Sequence, residues 1–540
     1  MKTKTQIELE KQILRQMNID SDKTLEEWMR NPYLMNSSYN LRFWDYIKNS
    51  DNIFIVGDYD VDGVCATYIM TKGIKSVYPN KKLFLRLPKR MSEGYGFNQN
   101  IIEEIKEKMP NGGTVITVDN GIAAASYLEE LKKLGYTVLL TDHHELGSNK
   151  IPDVDMVLDP KVPLPSKDII FNGDYWCGAA VAYKLIETMV SKETADELSV
   201  FAGIATVGDC MPLTAGNWAL VKKTLEAIRN QTAPKTILDL CEALKRNPEN
   251  VTEEDLGFYL CPAINACGRL LDDGAKKSLL YFLKPTPERC QELVSYNDNR
   301  KDLKEKQLSL VCETIVKENL QNDCPIWVYV PGLHEGLVGI LAGQVAEQYN
   351  VPAIVLTDSE KDGVIKGSAR SAGDINIFEY LNQTPDKFIG FGGHAGAAGL
   401  SLYKENLYDL RKNQLRKPIL TAFSNNILMD ITQNEIPGIA VINDIYRPFG
   451  EGNPSPYFSM GINLKNEDYR MLGAPPVHLC INDPLKKYKI MHFYHEPNEL
   501  KHSDTFKITG KIKNDTFRGK TTAVLTAEIV EDFEVDDKER

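Results

Sequence analysis

The sequence predicts an α/β protein that opens with a domain built on a mainly parallel sheet. Between residues 53 and about 160, short apolar runs rich in β-branched residues alternate with helical stretches, which is the rhythm of βαβ units. A charged segment with helical periodicity comes next, and from residue 325 strand and helix patterns alternate again. Short strand-like runs follow residue 426. These observations predict a parallel-sheet domain, a long connecting helix, a second α/β domain and a C-terminal β-barrel.

The first domain is expected to contain five strands, each formed by a short apolar run. The strands are predicted at 53–57, 83–87, 114–118, 137–141 and 155–158. Helices are predicted between them at 64–76 and 122–134. The preceding residues 1–50 are predicted to be helical, with an amphipathic piece at 25–31, so the first sheet domain is placed at 51–215.

The rest of the chain divides into three regions of different pattern. Residues 216–324 are mostly helical, and their last part, from about 286 to 320, predicts one long helix. Residues 325–425 hold the second α/β domain, with a helix at 337–349 and a closing glycine-rich segment. Residues 426–540 are predicted to form the small β domain.

The composition is that of an ordinary globular protein, with 42% hydrophobic and 26% charged residues. The formal net charge of −12 argues against a protein that coats nucleic acid nonspecifically, although it allows a local basic groove. The ten cysteines include no C-x-x-C pair, so neither a zinc ribbon nor a disulfide framework is indicated. No apolar run reaches membrane-spanning length and the N-terminus lacks a secretory signal, so we expect a cytoplasmic protein without a membrane segment.

The first acidic motif follows the first predicted strand and imitates a calcium-binding loop. Asp58, Asp60 and Asp62 alternate and are followed by Gly63, as at the start of an EF-hand loop. The twelfth loop position would need a bidentate glutamate, but it is Ile69. A buried strand also precedes the motif where an EF-hand has a helix, so the calcium-loop interpretation fails.

Further acids and histidines follow two other predicted strands. Asp119 comes directly after the third strand, and Asp142, His143 and His144 come after the fourth. Ligands of an open parallel sheet collect at the carboxyl ends of its strands, so these groups are expected to converge with the three aspartates. Any single acid at a strand end could instead cap a helix, and this alternative is weak only for the set as a whole.

This combination of side chains points to a particular kind of metal chemistry. Carboxylates with histidine and without cysteine favour Mn²⁺ or Mg²⁺ over structural zinc. Several grouped carboxylates imply more than one ion, because buried negative charges repel one another. Two such ions suit the attack of water on a phosphoryl group. Asp209, at the end of an apolar helical run, is a further acidic candidate.

Four of these motifs occur in the order that is typical of the DHH phosphoesterase superfamily. They are GDYDVDG, VDNGI, TDHHE and GDCMPL. Within that superfamily the chain most closely resembles the RecJ family of single-strand-specific 5′→3′ exonucleases, through further segments spread over nearly its whole length. These segments are RMSEGYGF (90–97), INACGRL (264–270), HEGLVGILAG (334–343), GSARS (367–371), FGGHAGAAG (391–399), PFGEGNPSP (448–456) and NDTFRGK (514–520).

The resemblance implies a role for each motif residue. Two Mn²⁺ or Mg²⁺ ions would be held by Asp58, Asp60, Asp62, Asp119, His143 and Asp209. His144 would face the substrate or orient the site. Asp142 would support the metal ligands without binding the metal itself. Contacts to the 5′ end and its phosphates would come from Arg90, Arg269, Ser368 and Arg370. Gly393 and His394 would also bind the substrate, with His394 on a glycine-rich loop beside the scissile region. In the OB-fold-like domain, the candidate contacts to DNA are Phe517, Arg518 and Lys520.

The resemblance also implies a function and partners. The chain would release 5′-mononucleotides from single-stranded DNA by a two-metal-ion mechanism, in DNA recombination and repair. It would act as a monomer, with a helicase or a single-strand-binding protein as candidate partners. Because the chain ends soon after the β domain, we expect no additional C-terminal partner-binding domain of the kind found in some relatives.

Two other functions that occur on the DHH fold fit this sequence less well. A phosphodiesterase for oligonucleotides or cyclic dinucleotides is the main alternative, but such relatives are usually shorter and lack the β domain. A non-catalytic scaffold on a degenerate DHH core is the other, and the complete set of metal-binding side chains argues against it. The sequence leaves the choice between DNA and RNA open.

Overall fold

The computed structural model describes most of the 540-residue chain. The described residues are 2–17, 37–94, 96–146, 150–162, 176–418, 428–463, 468–472, 477–483, 485, 487–495, 505–517 and 520–532. The predicted amphipathic piece at 25–31 lies outside these ranges. In the N-terminal region the described helices are α1 (Lys4–Gln16) and α2 (Ser37–Lys48). None of the helices in the described part of the chain has the length and apolar character needed to cross a membrane.

The first sheet has five strands that are all parallel, as the sequence predicts. Its strands are β1 (Asn52–Val56), β2 (Lys82–Arg86), β3 (Thr114–Val118), β4 (Thr137–Thr141) and β5 (Met156–Leu158), in the order β2-β1-β3-β4-β5. Its flanking helices are α3 (Val61–Val77), α4 (Gln99–Lys108) and α5 (Ala125–Lys133).

Both faces of this sheet are buried, which explains why its strands are continuous apolar runs. Along β1, Ile53 and Ile55 belong to one hydrophobic core, whereas Phe54 and Val56 belong to the core on the other face. The strands therefore end at a protected edge, and the polar residues that follow them collect there.

A helical region follows and ends in one long helix. Its elements are α6 (Gly178–Ile186), α7 (Lys192–Gly208), α8 (Ala215–Arg229), α9 (Lys235–Ala243), a 3-10 turn (Pro248–Asn250), α10 (Glu253–Asp255), a π-helical turn (Leu256–Leu260), α11 (Cys261–Leu270), α12 (Ala275–Leu283) and α13 (Pro287–Lys317). The start of α13 packs through Cys290 and Leu293 on the first core, and its end packs through Val311 and Ile315 on the core of the second sheet. Helix α13 is thus the predicted long connection.

The second sheet is mixed. Its strands are β6 (Ile326–Tyr329), β7 (Ala353–Asp358), β8 (Val364–Arg370), β9 (Gly390–His394) and β10 (Ala397–Tyr403), in the order β6-β7-β8-β10-β9. Its helical elements are α14 (Glu335–Tyr349), α15 (Ile377–Leu381), α16 (Leu407–Lys412) and 3-10 turns at Pro385–Lys387 and Lys404–Asn406. The prediction of a glycine-rich loop at 391–399 is wrong, because this segment forms the antiparallel hairpin of β9 and β10.

The C-terminal region is built on a seven-stranded sheet. Its strands are β11 (Leu428–Asp430), β12 (Tyr457–Asn463), β13 (Asp468–Leu472), β14 (Val477–Asn482), β15 (Tyr488–His495), β16 (Thr505–Phe517) and β17 (Lys520–Asp532), in the order β11-β12-β16-β17-β15-β14-β13. A 3-10 turn (Gln433–Glu435) and helix α17 (Ile436–Tyr446) precede β12. The strand-like interpretation of this region did not predict α17, which packs through Ile436 and Ile439 with Leu9 and Ile13 of α1.

Candidate active site

The turn that follows β1 carries the first two carboxylates. Asp58 is buried, and Asp60 caps α3, because its Oδ1 accepts hydrogen bonds from the backbone N–H groups of Asp62 (3.0 Å) and Gly63 (3.1 Å). The helix-cap alternative is therefore correct for Asp60, whose second oxygen still leaves a position for a cation. A Cβ at Gly63 would lie 2.5 Å from the backbone of Asp58, so the glycine of the EF-hand-like motif is required for the close packing of this turn.

Asp62 is held by the N-terminus of α6. Its two carboxylate oxygens accept hydrogen bonds from the backbone N–H groups of Gly178 and Ala179, each at 2.7 Å. The positive end of the helix dipole stabilises the buried carboxylate at this position. The orientation of Asp62 is thus fixed by the protein itself.

Asp119 and His143 follow two neighbouring strands, β3 and β4, and their side chains meet. Asp119 follows β3 with φ = 60°, a left-handed conformation that costs a non-glycine residue roughly 1–3 kcal/mol and recurs at functional sites. His143 follows β4 and places Nε2 at 3.1 Å from Asp119 Oδ1, 3.5 Å from Asp62 Oδ2 and 3.6 Å from Asp209 Oδ2. Three other chain segments therefore converge on this imidazole.

The converging side chains form three overlapping groups, and in each group the candidate ligand atoms lie within 4.8 Å of one another. The groups are Asp58–Asp60–Asp119, Asp62–His143–Asp209 and Asp119–His143–His144. The first two groups contain all six residues that the sequence predicts as metal ligands, and Asp119 and His143 each also belong to the third. Two neighbouring cation sites can be built from this arrangement.

The electrostatics of the groups fit divalent cations. Burial raises the pKa values of Asp58, Asp119 and Asp209 well above the usual carboxyl range, and repulsion by neighbouring aspartates adds to the shift. Among the described residues, the buried atoms without a hydrogen-bond partner include Asp58 Oδ1 and Asp119 Oδ1. Crowded carboxylate oxygens with an imidazole and no thiolate match the preferences of Mn²⁺ and Mg²⁺.

The two histidines of the TDHHE motif have opposite protonation. Burial lowers the pKa of His143 to about 4, so its imidazole is neutral at physiological pH, as a metal ligand must be. Burial also opposes the charged form of His144, but the Asp142 carboxylate, 2.7 Å from His144 Nδ1, raises the pKa of His144 to about 9. Asp142 in turn accepts hydrogen bonds from the backbone N–H groups of Ile122 (2.9 Å) and His143 (2.8 Å). Asp142 is therefore a buried anchor for the histidine pair.

A cluster of arginines lies next to the carboxylates. Burial and the charges of Arg90 and Arg300 together lower the pKa of Arg269 to about 10, although Asp60 acts in the opposite direction. Arg370 repels Arg269 as well, and burial lowers the pKa of Arg370 too. Guanidinium groups that are close together and partly desolvated suit an anion with more than one charge.

A cavity of about 630 Å³ opens between the first domain and the second sheet. Arg90 lies over the ring of Tyr59, with its guanidinium carbon 4.6 Å from the ring centre, and both residues line the cavity together with Ser368. The cavity thus joins the turn that carries Asp58 to the strand that carries Ser368 and Arg370.

Gly393 and His394, the remaining predicted site residues, lie on the exposed β9–β10 hairpin. Gly393 has φ = 151°, and a Cβ there would lie 2.2 Å from the carbonyl oxygen of Ala397, so only glycine fits. His394 Nδ1 accepts a hydrogen bond from the backbone N–H of Gly396 at 3.1 Å. The structure thus fixes the hairpin that presents His394, in place of the predicted loop.

Three family descriptions match successive parts of the chain. The DHH family N-terminal domain matches residues 52–208, the DHHA1 domain matches 323–416 and the RecJ OB domain matches 432–528. The single-stranded-DNA-specific exonuclease RecJ of Bacillus subtilis is 32% identical over 450 residues, which are 80% of this chain and 55% of that protein. RecJ of Haemophilus influenzae is 30% identical over 410 residues, which are 72% of this chain and 70% of that protein.

This chain belongs to the RecJ family. It spans 55% of the length of the Bacillus subtilis RecJ and 65% of the Salmonella typhimurium RecJ that it matches. The structure of Thermus thermophilus RecJ in complex with Mn²⁺ shares its fold, with a TM-score of 0.75 and 22% identity over 94% of this chain and 74% of that one. A structure of exonuclease RecJ bound to manganese matches with a TM-score of 0.56 and 26% identity over 71% of this chain and 93% of that one.

Sequence reasoning missed three residues at the site of this RecJ-family chain. Asp159 directly follows β5 and is buried; burial, with repulsion by Asp142, raises its pKa to about 7. The strand-end pattern, extended to the fifth strand, would have found it. Gly178 and Arg300 lie within helical patterns and carry no local signal, because only packing brings them to Asp119 and to Arg269.

The raised carboxyl pKa values predict that metal binding to this RecJ-family chain depends on pH. Because the folded metal-free protein binds protons at Asp58, Asp119 and Asp209 more tightly than the unfolded chain does, these groups destabilise it as the pH rises. Cations bind the deprotonated carboxylates. We expect Mn²⁺ to raise the Tm of EDTA-treated protein strongly at about pH 8 and only slightly at about pH 5.5. Scanning calorimetry measures both shifts, and equal shifts at the two pH values would contradict the assignment.

Proposed function

We propose that this chain is a metal-dependent exonuclease that hydrolyses single-stranded DNA from the 5′ end and releases 5′-mononucleotides. The observation that carries the proposal is the pair of adjoining ligand groups, Asp58–Asp60–Asp119 and Asp62–His143–Asp209, beside a partly buried arginine cluster. Metal-binding carboxylates suit the scissile phosphate and arginines suit a second phosphate. This combination is what an enzyme acting near the end of a nucleic-acid strand requires. Membership of a family whose relatives are described as single-stranded-DNA-specific exonucleases supports the substrate class.

The two ligand groups are proposed to hold two Mn²⁺ or Mg²⁺ ions, which when bound supply an activated water and stabilise charge on the phosphate. The protein holds the ligands in place beforehand. Asp62 is fixed by the N-terminus of α6, and His143 is kept neutral by burial. Asp142 holds the ring of His144 through Nδ1, so Nε2 of His144 is the atom proposed to contact the substrate.

The proposed polarity comes from the substrate-binding groups. Arg90, Arg269, Ser368 and Arg370 are proposed to bind the phosphate at the strand's 5′ end, while the adjacent phosphodiester lies at the carboxylates. Gly393 and His394 are proposed to support the strand from the β9–β10 hairpin. A fixed distance between the terminal phosphate and the scissile bond would make the enzyme release one nucleotide at a time.

The regions of the chain are proposed to divide this work. After the N-terminal segment 1–50, residues 51–215 would form the catalytic DHH domain. Residues 216–324 would form the helical connector. Residues 325–425 would bind the substrate end. Residues 426–540 would guide the rest of the strand. Phe517 and Lys520 are register partners at the end of the β16–β17 hairpin, whereas Arg518 lies outside the described residues.

The cellular setting follows from the same proposal. We propose a monomer that acts in the cytoplasm during DNA recombination and repair, with a helicase or a single-strand-binding protein as partner. All ten cysteines are unpaired thiols, which supports a reducing compartment.

The proposal is tested by incubating the protein with Mn²⁺ and single-stranded DNA, duplex DNA or a dinucleotide. We expect mononucleotides from the single strand, little product from the duplex and no cleavage with excess EDTA. A strong preference for the dinucleotide would instead assign the chain to the oligonucleotide phosphodiesterases, and cleavage that persists in EDTA would exclude the metal centre.

A further inference from the structure

One face of β8 carries a third polar side chain that the proposed function leaves unused. Because side chains alternate along a strand, Lys366, Ser368 and Arg370 lie on one face, while Ile365 and Ala369 are buried on the other. Ser368 and Arg370 are proposed substrate contacts. Lys366 continues the same row and lines the cavity of about 630 Å³ together with Arg90.

The strands on both sides of Lys366 add hydroxyl groups to this wall of the cavity. Thr357 of β7 and Ser401 of β10 are the register partners of Lys366, and both line the cavity. Beyond Ser401, the register partner on β9 is Gly390, where an added Cβ would meet nothing within 4 Å. The Thr357 hydroxyl already donates to the carbonyl oxygen of Leu333 at 3.3 Å, so the wall offers a cation and the Ser401 hydroxyl with open space beside them, which suits a phosphate group.

Helix α14 packs against the polar face of β8 that carries Lys366, Ser368 and Arg370. Glu335, in its first turn, places Oε2 at 2.6 Å from Lys366 Nζ. One turn later, a Cβ at Gly339 would lie 2.8 Å from Arg370 Nη2 and 3.2 Å from Ser368 Oγ. Residues four apart share a helix face, so α14 supplies a carboxylate to Lys366 and leaves room for the side chains of Ser368 and Arg370.

The ion pair between Lys366 and Glu335 is easily exchanged. Their side chains are 26% and 39% exposed, and ion pairs between partly exposed groups are weak. A terminal phosphate carries close to two negative charges and three acceptor oxygens, so it competes well with one carboxylate for the ammonium group. Lys366 can therefore leave Glu335 for a phosphate.

We infer that Lys366 binds the terminal 5′-phosphate of the strand, and that Glu335 holds Lys366 when the cavity is empty. This inference rests on the proposed function and adds one cation and one competing carboxylate to it. Glu335 would recapture Lys366 when the released nucleotide leaves, so the pair makes phosphate binding reversible.

The test compares three variants with the wild-type chain. Lys366→Met removes the charge and keeps the length of the side chain, and Glu335→Gln removes the competing carboxylate. Lys387→Met is the matched control, because Lys387 also pairs with a carboxylate, that of Asp409, at 3.3 Å in the same domain. The probe is a short 3′-fluorescein single strand with a 5′-phosphate or a 5′-hydroxyl, and its binding is measured by anisotropy in EDTA.

We expect Lys366→Met to weaken binding of the 5′-phosphorylated strand roughly tenfold, the effect of one charge-assisted hydrogen bond, and to change binding of the 5′-hydroxyl strand less than about twofold. Glu335→Gln is expected to tighten binding of the 5′-phosphorylated strand, because the phosphate no longer displaces a carboxylate. A merely structural pair would show losses in both variants. Lys387→Met should match the wild type.

The outcomes separate this inference from the proposed function. Equal weakening of both strands by Lys366→Met, or weaker phosphate binding in Glu335→Gln, would overturn the inference while degradation of single-stranded DNA by the wild type still stands. If the wild type neither binds nor degrades single-stranded DNA, the proposed function itself fails.

Discussion

Asp119→Ala is expected to lower the rate of single-stranded DNA cleavage roughly 10³-fold while the protein remains folded. Asp119 belongs to two of the three candidate ligand groups and lies 3.1 Å from His143 Nε2, so its loss would affect both cation positions. The measurement is single-turnover release of nucleotide with saturating Mn²⁺. A surface aspartate outside the site, exposed Asp45 on α2 of the N-terminal segment, provides the control variant Asp45→Ala, which should retain wild-type rates.

The stability of the Asp119 variant should change in the opposite direction from its activity. Burial and repulsion by Asp62 and Asp60 raise the pKa of Asp119, so the ionised carboxylate destabilises the metal-free protein. In EDTA at about pH 8, Asp119→Asn should therefore melt no lower than the wild type, and Mn²⁺ should raise its Tm less. An active variant, or an inactive one that melts far below the wild type, would contradict a metal-binding role for Asp119.

Gly178→Ala is expected to reduce cleavage roughly 10²-fold although it introduces only a methyl group. The added Cβ would lie 2.4 Å from Asp119 Cβ and 2.6 Å from Asp119 Oδ1. Either Asp119 or the start of α6 must move, and α6 also donates the two backbone hydrogen bonds that fix Asp62. Both ligand groups would be displaced together.

The Gly178 variant is measured by Mn²⁺ titration of its Tm and by the same cleavage assay. Gly257→Ala is a suitable control, since a Cβ there would meet only a Val207 methyl at 3.5 Å, an ordinary contact. We expect weaker Mn²⁺ binding and slower cleavage for Gly178→Ala alone. Wild-type Mn²⁺ binding by this variant would show that the ligand geometry tolerates the displacement, against our account.

The first sheet and its acidic edge could be predicted from the sequence because both depend on local pattern. β1 and β3 begin within one residue of their predicted starts, since a run of buried β-branched residues allows little else. The strand-end rule then places Asp58, Asp119 and His143 together without any knowledge of the loops between them.

The features that the sequence did not predict depend on packing between distant segments. The need for glycine at position 178 comes from the close approach of Asp119. The pairing of Lys366 with Glu335 comes from the approach of α14 to β8. The glycine-rich segment predicts a loop by its composition, because glycine is rare in strands unless another backbone comes close, as that of Ala397 does to Gly393. Helix α17 was missed, because its Pro and Gly near the start resemble a turn, whereas a proline in the first helical turn is favourable.

We propose that this chain removes nucleotides from the 5′ end of single-stranded DNA at the carboxylate centre. The most direct measurement follows 5′-labelled and 3′-labelled copies of one strand in parallel with Mn²⁺, for the wild type and Asp119→Ala. We predict immediate release of mononucleotide from the 5′ label, late loss of the 3′ label, and neither event in the variant. Early release from the 3′ label, or cleavage by Asp119→Ala at the wild-type rate, would contradict the account.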